Sequence, residues 1–408
     1  DVVPRQQQAS NQATQCPFRF FLSEGSDGLR DPRPVSTQVL EHDAKEILAA
    51  EGVPVPRGAL AATPDDLPDF NGPWFVKVQI PAGGRGKAGG IVRAETREEI
   101  RDALGRLLGR RLKGHPVREC RIERAVGEAE EAYLSLSVDP ASGGINVLLS
   151  GTGGMEIESA EGRSALRSDR AARDADAIAA TVSRLADGLP AHMASALAEA
   201  GGLLAGIFCR LELTQIEINP MLVAAGGAWL AGDAKMIADE NAFVRQELIA
   251  DLVRARASSY PEAALKLAQD FDYVELDPDG EIGLVTTGAG LSMQLIDEMR
   301  EKGIRPYNFC DIRSGTFRGD PGRLIWTMQQ IAKGPQIRGV LVNIFAGVTH
   351  LGELADLLLQ ARAAVPELTA RMVVRLVGNG LDEAREILDR KSTRLNSSHQ
   401  IISYAVFC

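Results

Sequence analysis

Two stretches of this chain hold residues whose types and spacing suit phosphate and metal chemistry. The first is Trp74–Gly90, WFVKVQIPAGGRGKAGG. A short apolar strand, Trp74 to Ile80, carries one lysine, Lys77, and runs into a loop with five glycines, Arg85 and Lys87. Glycine lets a backbone pass close to a ligand and turn its N–H groups toward anionic oxygens. The arginine and lysine supply the positive charge that a polyphosphate requires. A flexible hairpin with solvated charges has the same composition, and the GK-[ST] ending of a Walker A loop is missing. The second stretch is Gln215–Pro220, QIEINP, followed at Ala231–Lys235 by AGDAK. Alternation puts Glu217 and Asn219 on one face of a strand. Asp233 returns on the partner strand of a hairpin, so hard oxygen donors meet as Mg²⁺ prefers, with room left for water and phosphate oxygens. A polar hairpin face with Asn-Pro as its turn is the plain alternative. Glu123 and Glu131 add acids at strand ends, where a carboxylate can accept from ribose hydroxyls, although most such glutamates are simply exposed.

These residues need elements to hold them. Val39–Glu51 reads as a helix with Leu40, Ala44, Ile47 and Leu48 on one face. Thr96-x-x-Glu99 is a capping box that opens a helix to about Leu108. Arg121–Val126, Glu131–Val138 and Ile145–Ser150 read as strands, and Asp174–Ala186 and Ala191–Cys209 as helices. Leu213–Ile218 and Ala228–Gly232 form a hairpin around residues 224–227. Helices and hairpins mixed in this way predict an α+β half. Arg245–Ala257 is a linker helix. Beyond Asp277-Pro278-Asp279-Gly280 the rhythm becomes strand–helix. The strands are Ile282–Thr286, Tyr307–Ile312, Val340–Phe345 and Met372–Val377. The helices are Leu291–Lys302, Pro321–Lys333, Leu351–Ala363 and Leu381–Leu388. Nearly continuous apolar strands of this kind predict an α/β doubly wound parallel sheet, which binds ligands at the carboxyl ends of its strands.

The segments VKVQIPAGGRGKAGG, IEINP and VLVNIFAG make the chain resemble the beta subunits of ADP- or GDP-forming succinate–CoA ligases (succinyl-CoA synthetases) and the related malate–CoA ligases, from about Gln38 to Leu388. The resemblance implies an ATP-grasp domain over residues 35–257 and a flavodoxin-like CoA-ligase domain over 258–390. Residues 1–34 are expected to be a disordered extension outside the family, and 391–408 an artefactual tail, with the last family strand and helix lost. The resemblance makes Lys77, Gly84, Arg85, Gly86, Glu123, Val126 and Glu131 nucleotide contacts, with ATP or GTP as substrate. It makes Asn219 and Asp233 the Mg²⁺ ligands, and gives Glu217 the catalytic role of orienting a histidine that carries the phosphoryl group. None of the five histidines here sits in such a context. In the family that histidine and most of the CoA site belong to an alpha subunit, so the implied partner is an alpha subunit in a hetero-oligomer.

The carboxylate-substrate region departs from the family pattern. Thr287 stands where an asparagine is usual, Arg313 replaces part of a triple-glycine loop, and Gly347, Val348 and Thr349 replace most of Gly-Gly-Ile-Val. The small dicarboxylate substrate is therefore left open between succinate, malate and a relative, and a nucleotide-binding regulatory or assembly subunit without turnover is the alternative from another class.

At 408 residues two or three domains are expected. A net charge of −10 argues against nucleic acid or an anionic membrane as the main partner. No run of 18 apolar residues is present, so no transmembrane helix is expected. Five cysteines without CxxC spacing suit a reducing compartment, and a cytoplasmic location is expected before a mitochondrial one.

Overall fold

The computed structural model of the chain describes residues 36–154, 165–313, 319–392 and 401–403. The expected extension at 1–34 and most of the segment 391–408 lie outside the described residues.

The glycine loop belongs to a four-stranded antiparallel sheet in the order Gly58–Ala61, Cys120–Arg124, Trp74–Val78, Ile91–Ala94. Its two faces differ because side chains alternate along each strand. Val76, Val78, Cys120 and Ile122 turn one way and are buried with Ile100, Ala103 and Leu104 of the helix Arg97–Leu107. Lys77, Arg121 and Glu123 turn the other way, Lys77 directly opposite Arg121. The capping box forms, shifted by one residue on its return arm. Thr96 Oγ1 accepts from the Glu99 N–H at 3.2 Å, and Glu99 Oε2 accepts from the Glu95 N–H at 2.7 Å.

Facing this unit is a seven-stranded sheet in the order Ser36–Val39, Ala234–Asp239, Leu213–Val223, Glu130–Val138, Ile145–Ser150, Arg167–Ala171, with Trp229–Ala231 paired to the far end of Leu213–Val223. Three of these strands were not anticipated, among them Arg167–Ala171, which pairs antiparallel with Ile145–Ser150. Residues 36–39 pair with Met236–Asp239, so the first helix starts only at Glu41. The return arm of the hairpin continues past Gly232 as Ala234–Asp239, and Asp233 sits at the break between its two pieces rather than on a strand. The helices Ala175–Ala186 and Ala191–Arg210 pack with this sheet in one apolar core. Ala191–Arg210 is long and apolar enough to cross a membrane by composition, yet half of it is buried, with Leu197, Leu204 and Phe208 fully inside the core.

The second half has parallel strands in the order Ile282–Thr286, Gly339–Ala346, Arg371–Gly378, Ile401–Ser403. Part of the segment set aside as a tail thus takes an edge position in the sheet. On the opposite edge Asn308–Asp311 runs beside Ile282–Thr286, and its outer side pairs antiparallel with Asp272–Glu275. Here the Asn308 side chain replaces backbone rungs. Its amide oxygen takes the Leu284 N–H at 2.8 Å and its amide nitrogen donates to Leu284 O at 2.9 Å. Helix Ala289–Glu301 packs with Leu284 and Phe309, while Gly322–Ala332, Leu351–Ala364 and Leu381–Ser392 pack with Val340, Val342, Met372 and Val374.

Candidate functional site

The charged face of the small sheet meets the first helix, Glu41–Ala50, in a buried ionic cluster. Lys77 Nζ donates to Glu41 Oε1 at 3.0 Å, Glu123 Oε1 at 2.7 Å and Gly232 O at 2.9 Å. Lys45, one helical turn beyond Glu41, donates to the same three partners at 2.6–2.8 Å. Arg121 Nε reaches Glu123 Oε2 at 2.9 Å. Lys77 therefore does not extend to solvent as a strand lysine usually does. Every charge here is desolvated, and each persists because an opposite charge touches it. Burial alone would lower the Lys77 pKa, but Glu41 and Glu123 outweigh it and hold the lysine above its ordinary value. Burial likewise pushes Glu41 up, and Lys45, Lys77 and Arg85 hold it well below the usual carboxylate range. For Lys45 burial prevails and its pKa falls.

Arg85 carries this network across to the large sheet. Its Nη2 lies 2.9 and 2.8 Å from the two oxygens of Asp233, and Nη1 donates to Val78 O at 3.0 Å. Glu41 Oε2 stands 2.7 Å from the same Nη2, close as an ion pair but outside hydrogen-bonding geometry. Burial and the nearby Glu41 push the Asp233 carboxyl up, against Arg85 and Lys77. Between the two sheets lies a cavity of about 400 Å³ lined by the glycine loop, Arg85, Glu217, Asn219 and Asp233. Asn219 is aimed into it by a β-bulge, where Asn219 and Pro220 together oppose the single residue Tyr133. That bulge is also where a proline is tolerated inside a strand. Asn219 Oδ1 accepts from the Gly154 N–H at 2.7 Å and Glu217 accepts from Gln215 Nε2 at 2.9 Å. Burial and Glu217 push the neighbouring Tyr133 phenol up to about 12.

Asn219 offers an amide oxygen with one lone pair committed to Gly154, and Asp233 offers a carboxylate now covered by a guanidinium. Among the described residues no group of three His, Cys, Asp or Glu side chains could hold a metal unaided. Two hard oxygens beside a basic loop fit a Mg²⁺ ion that takes its remaining ligands from phosphate and water.

An ATP-grasp domain model matches residues 38–223 and a CoA-ligase model matches residues 285–404. The chain is 34% identical over 361 residues to the succinate–CoA ligase [ADP-forming] subunit beta of Chloroflexus aggregans, covering 85% of this chain and 92% of that one. It is 33% identical to the GDP-forming subunit beta of Thermus thermophilus, covering 86% and 93%. The chain belongs to the succinate–CoA ligase beta-subunit family. Its fold is also that of ATP citrate lyase from Methanothrix soehngenii, with a TM-score of 0.67 at 18% identity over 90% of this chain and 96% of the other.

The remaining expected site residues of this family member fall in two places. Glu123 is inside the ionic cluster, 3% exposed, with its oxygens held by Lys45, Lys77 and Arg121; neither it nor Lys77 lines the cavity, which the cluster meets at Glu41. Val126 is half-buried just past the Cys120–Arg124 strand, and Glu131 is exposed; neither lines the cavity. Glu131 lies against Gly154, where a Cβ would come within 1.9 Å of its carboxylate. Thr287, Gly347, Val348 and Thr349 lie in the other half, at the carboxyl ends of the parallel strands. Thr287 is buried, and its hydroxyl accepts from the Phe345 N–H at 3.0 Å and donates to Phe345 O at 3.3 Å. It braces the strand that leads into Gly347–Thr349 instead of presenting a free donor. Arg313, which stands in place of part of the family's glycine loop, pairs its guanidinium with Asp270 at 2.8 Å and Asp272 at 3.5 Å. Glu41, Lys45 and Arg121 were missed. The signal was available in Glu41 and Lys45, which share the helix face of Ala44 and Leu48 at i, i+3, i+4 and i+7 spacing, where charged residues do not belong unless paired.

Proposed function

We propose that this chain is the nucleotide-binding half of an acid–CoA ligase that activates a small dicarboxylate, succinate by family membership. The observation that carries the reading is Arg85, which spans from the glycine loop to Asp233 across a cleft also lined by Glu217 and Asn219. A nucleotide triphosphate enters that cleft with its phosphates along the glycine loop, where Gly84, Arg85 and Gly86 offer backbone N–H groups and charge. Arg85 meets the phosphate oxygens, and Lys77, joined to it through Glu41, adds positive charge behind it. Glu123 keeps Lys77 charged and aimed. Asn219 and Asp233 would hold Mg²⁺, which when bound neutralises charge on the transferred phosphoryl group. An imidazole nitrogen of a partner alpha subunit attacks the γ-phosphorus, and the nucleoside diphosphate leaves with the electrons of the broken P–O bond. Glu217 accepts the N–H of that imidazole and fixes its orientation. The phosphoryl group then passes to the carboxylate as an acyl phosphate, and the CoA thiolate displaces phosphate. The loop Gly347–Thr349, braced by Thr287, is the proposed contact to the acid.

The test is reconstitution with the alpha subunit from the same source. ATP or GTP, Mg²⁺, CoA and each of succinate, malate and citrate are supplied, and thioester is measured. Thioester from one dicarboxylate, dependent on the alpha subunit's histidine, is expected. Nucleotide binding without thioester from any of them would sink the reading.

A further inference from the structure

Arg85 has two carboxylates on one nitrogen, and they are not equivalent. Asp233 takes Nη2 with both of its oxygens, at 2.9 and 2.8 Å. A carboxylate covered in this way has little left to offer a cation, so a divalent ion and Arg85 exclude one another on Asp233. Glu41 is the other seat. Its Oε2 is 2.7 Å from Arg85 Nη2, while its Oε1 is fixed by Lys45 at 2.8 Å and Lys77 at 3.0 Å. Its side chain is 1% exposed, it lines the cleft, and it starts a helix packed into the core, so it cannot follow Arg85 away. The anchor of Nη1 on Val78 O is backbone and equally fixed.

We infer that Glu41 is a positioning residue of the nucleotide site. It is the seat to which Arg85 stays tethered when a metal ion takes Asp233, and it keeps the guanidinium on the cleft wall facing the phosphates. This rests on the reading of Asn219 and Asp233 as the metal pair. Without Glu41, Asp233 is the one carboxylate among the described residues that Arg85 still touches, and guanidinium and cation compete for it directly. Glu123 belongs to the same cluster but does not touch Arg85, so Glu123→Gln removes the same charge while leaving the tether intact.

The experiment titrates Mn²⁺ into the full chain without nucleotide and counts free ion by electron paramagnetic resonance. Glu41→Gln is expected to weaken Mn²⁺ binding roughly tenfold and Glu123→Gln no more than about threefold, since a lost tether adds to a lost charge. In an Arg85→Gln background no guanidinium competes, and adding Glu41→Gln is expected to cost no more than about threefold there as well. Equal losses in Glu41→Gln and Glu123→Gln, or an undiminished tenfold loss in the Arg85→Gln background, would overturn the inference in favour of charge alone. Arg85→Lys reads the same competition with Glu41 in place. It keeps the charge without the fork, so Mn²⁺ should bind several-fold more tightly than to the unmodified chain. Unchanged binding there overturns the inference even if Glu41→Gln does not fold. If the unmodified chain holds no Mn²⁺ even with ADP added, the assignment of Asn219 and Asp233 fails and this inference with it. Mn²⁺ binding without an Arg85-dependent effect of Glu41 removes the inference alone.

Discussion

Lys77 illustrates what a residue type reveals by itself and what it conceals. A lysine entering a glycine loop signals phosphate, and the spacing IEINP then GDAK signals hard-oxygen metal ligands. Both patterns can be read because they are short and local, and the fold brings Arg85, Asn219 and Asp233 to one cavity. The three carboxylates that keep Lys77 and Arg85 charged were not all legible, because Glu41 lies 36 residues from Lys77 and meets it only after the first helix docks. Two predictions belong here. Lys77→Ala leaves Glu41 and Glu123 buried with one cation fewer, which costs about 3 kcal/mol of stability and should weaken ATP binding more than tenfold. Denaturant unfolding and calorimetric titration measure the two separately, and unaltered ATP affinity would take Lys77 out of the phosphate grip. Asp233→Asn keeps an oxygen donor but loses the charge. The Mg²⁺ concentration needed for half-maximal phosphorylation of the partner histidine should rise about tenfold. A superimposable metal titration would remove Asp233 from the metal site.

The elements were read well where one periodicity governs them and poorly where pairing partners decide. The helix Arg97–Leu107 announced itself through its cap, and Ile282–Thr286 through an unbroken apolar run. Ser36–Val39 did not, because four residues acquire strand character only from their ladder with Met236–Asp239. The same holds for Ala234–Asp239, which follows a Gly-Asp break that reads as a hairpin end. One joint between elements has a measurable pH dependence. Glu212 closes the helix Ala191–Arg210 with φ 51°, and its carboxylate takes Arg245 Nε at 2.7 Å and Gln246 Nε2 at 2.8 Å. Hydrogen bonds from Arg245 and Gln246 lower its pKa from 4.5 to about 2. A depressed carboxylate stabilises the fold above its unfolded pKa, and that contribution is lost as pH falls toward the folded value. The unmodified chain should thus exceed Glu212→Gln in stability by about 1 kcal/mol above pH 5, a modest figure because the pair is near solvent. The gap should shrink steadily between pH 4.5 and 2. A gap constant across that range in urea titrations would contradict the assigned role.

At the scale of the molecule the question is how the two halves communicate through the linker. The helix Glu247–Ala255 ends at Arg256, whose guanidinium pairs with both Asp43 and Glu119. Tyr260 adds a second pin: its hydroxyl donates to Asp43 Oδ2 at 2.5 Å and accepts from the Leu40 N–H at 3.0 Å. Asp43 sits on the helix that carries Glu41 and Lys45, and Glu119 immediately precedes the strand that carries Glu123. On the next helix, Pro261–Gln269, Lys266 reaches Glu240 at 2.9 Å and Asp272 at 3.1 Å, the latter on the edge strand of the CoA-ligase half. The polypeptide that joins the halves is therefore bolted to the elements that wall the proposed nucleotide cleft at one end and to the second sheet at the other. Arg256→Met tests this arrangement. It strips two partly buried carboxylates of their cation and should cost about 2 kcal/mol of stability. More tellingly, it should loosen the first helix and lower nucleotide affinity severalfold, although Arg256 does not line the cleft. Tyr260→Phe keeps the ring packed and removes only the hydroxyl, so about 1 kcal/mol and a smaller loss of affinity are expected. If Arg256→Met lowers the unfolding midpoint while nucleotide affinity stays level, the first helix is held by its apolar face alone and the linker serves only to connect.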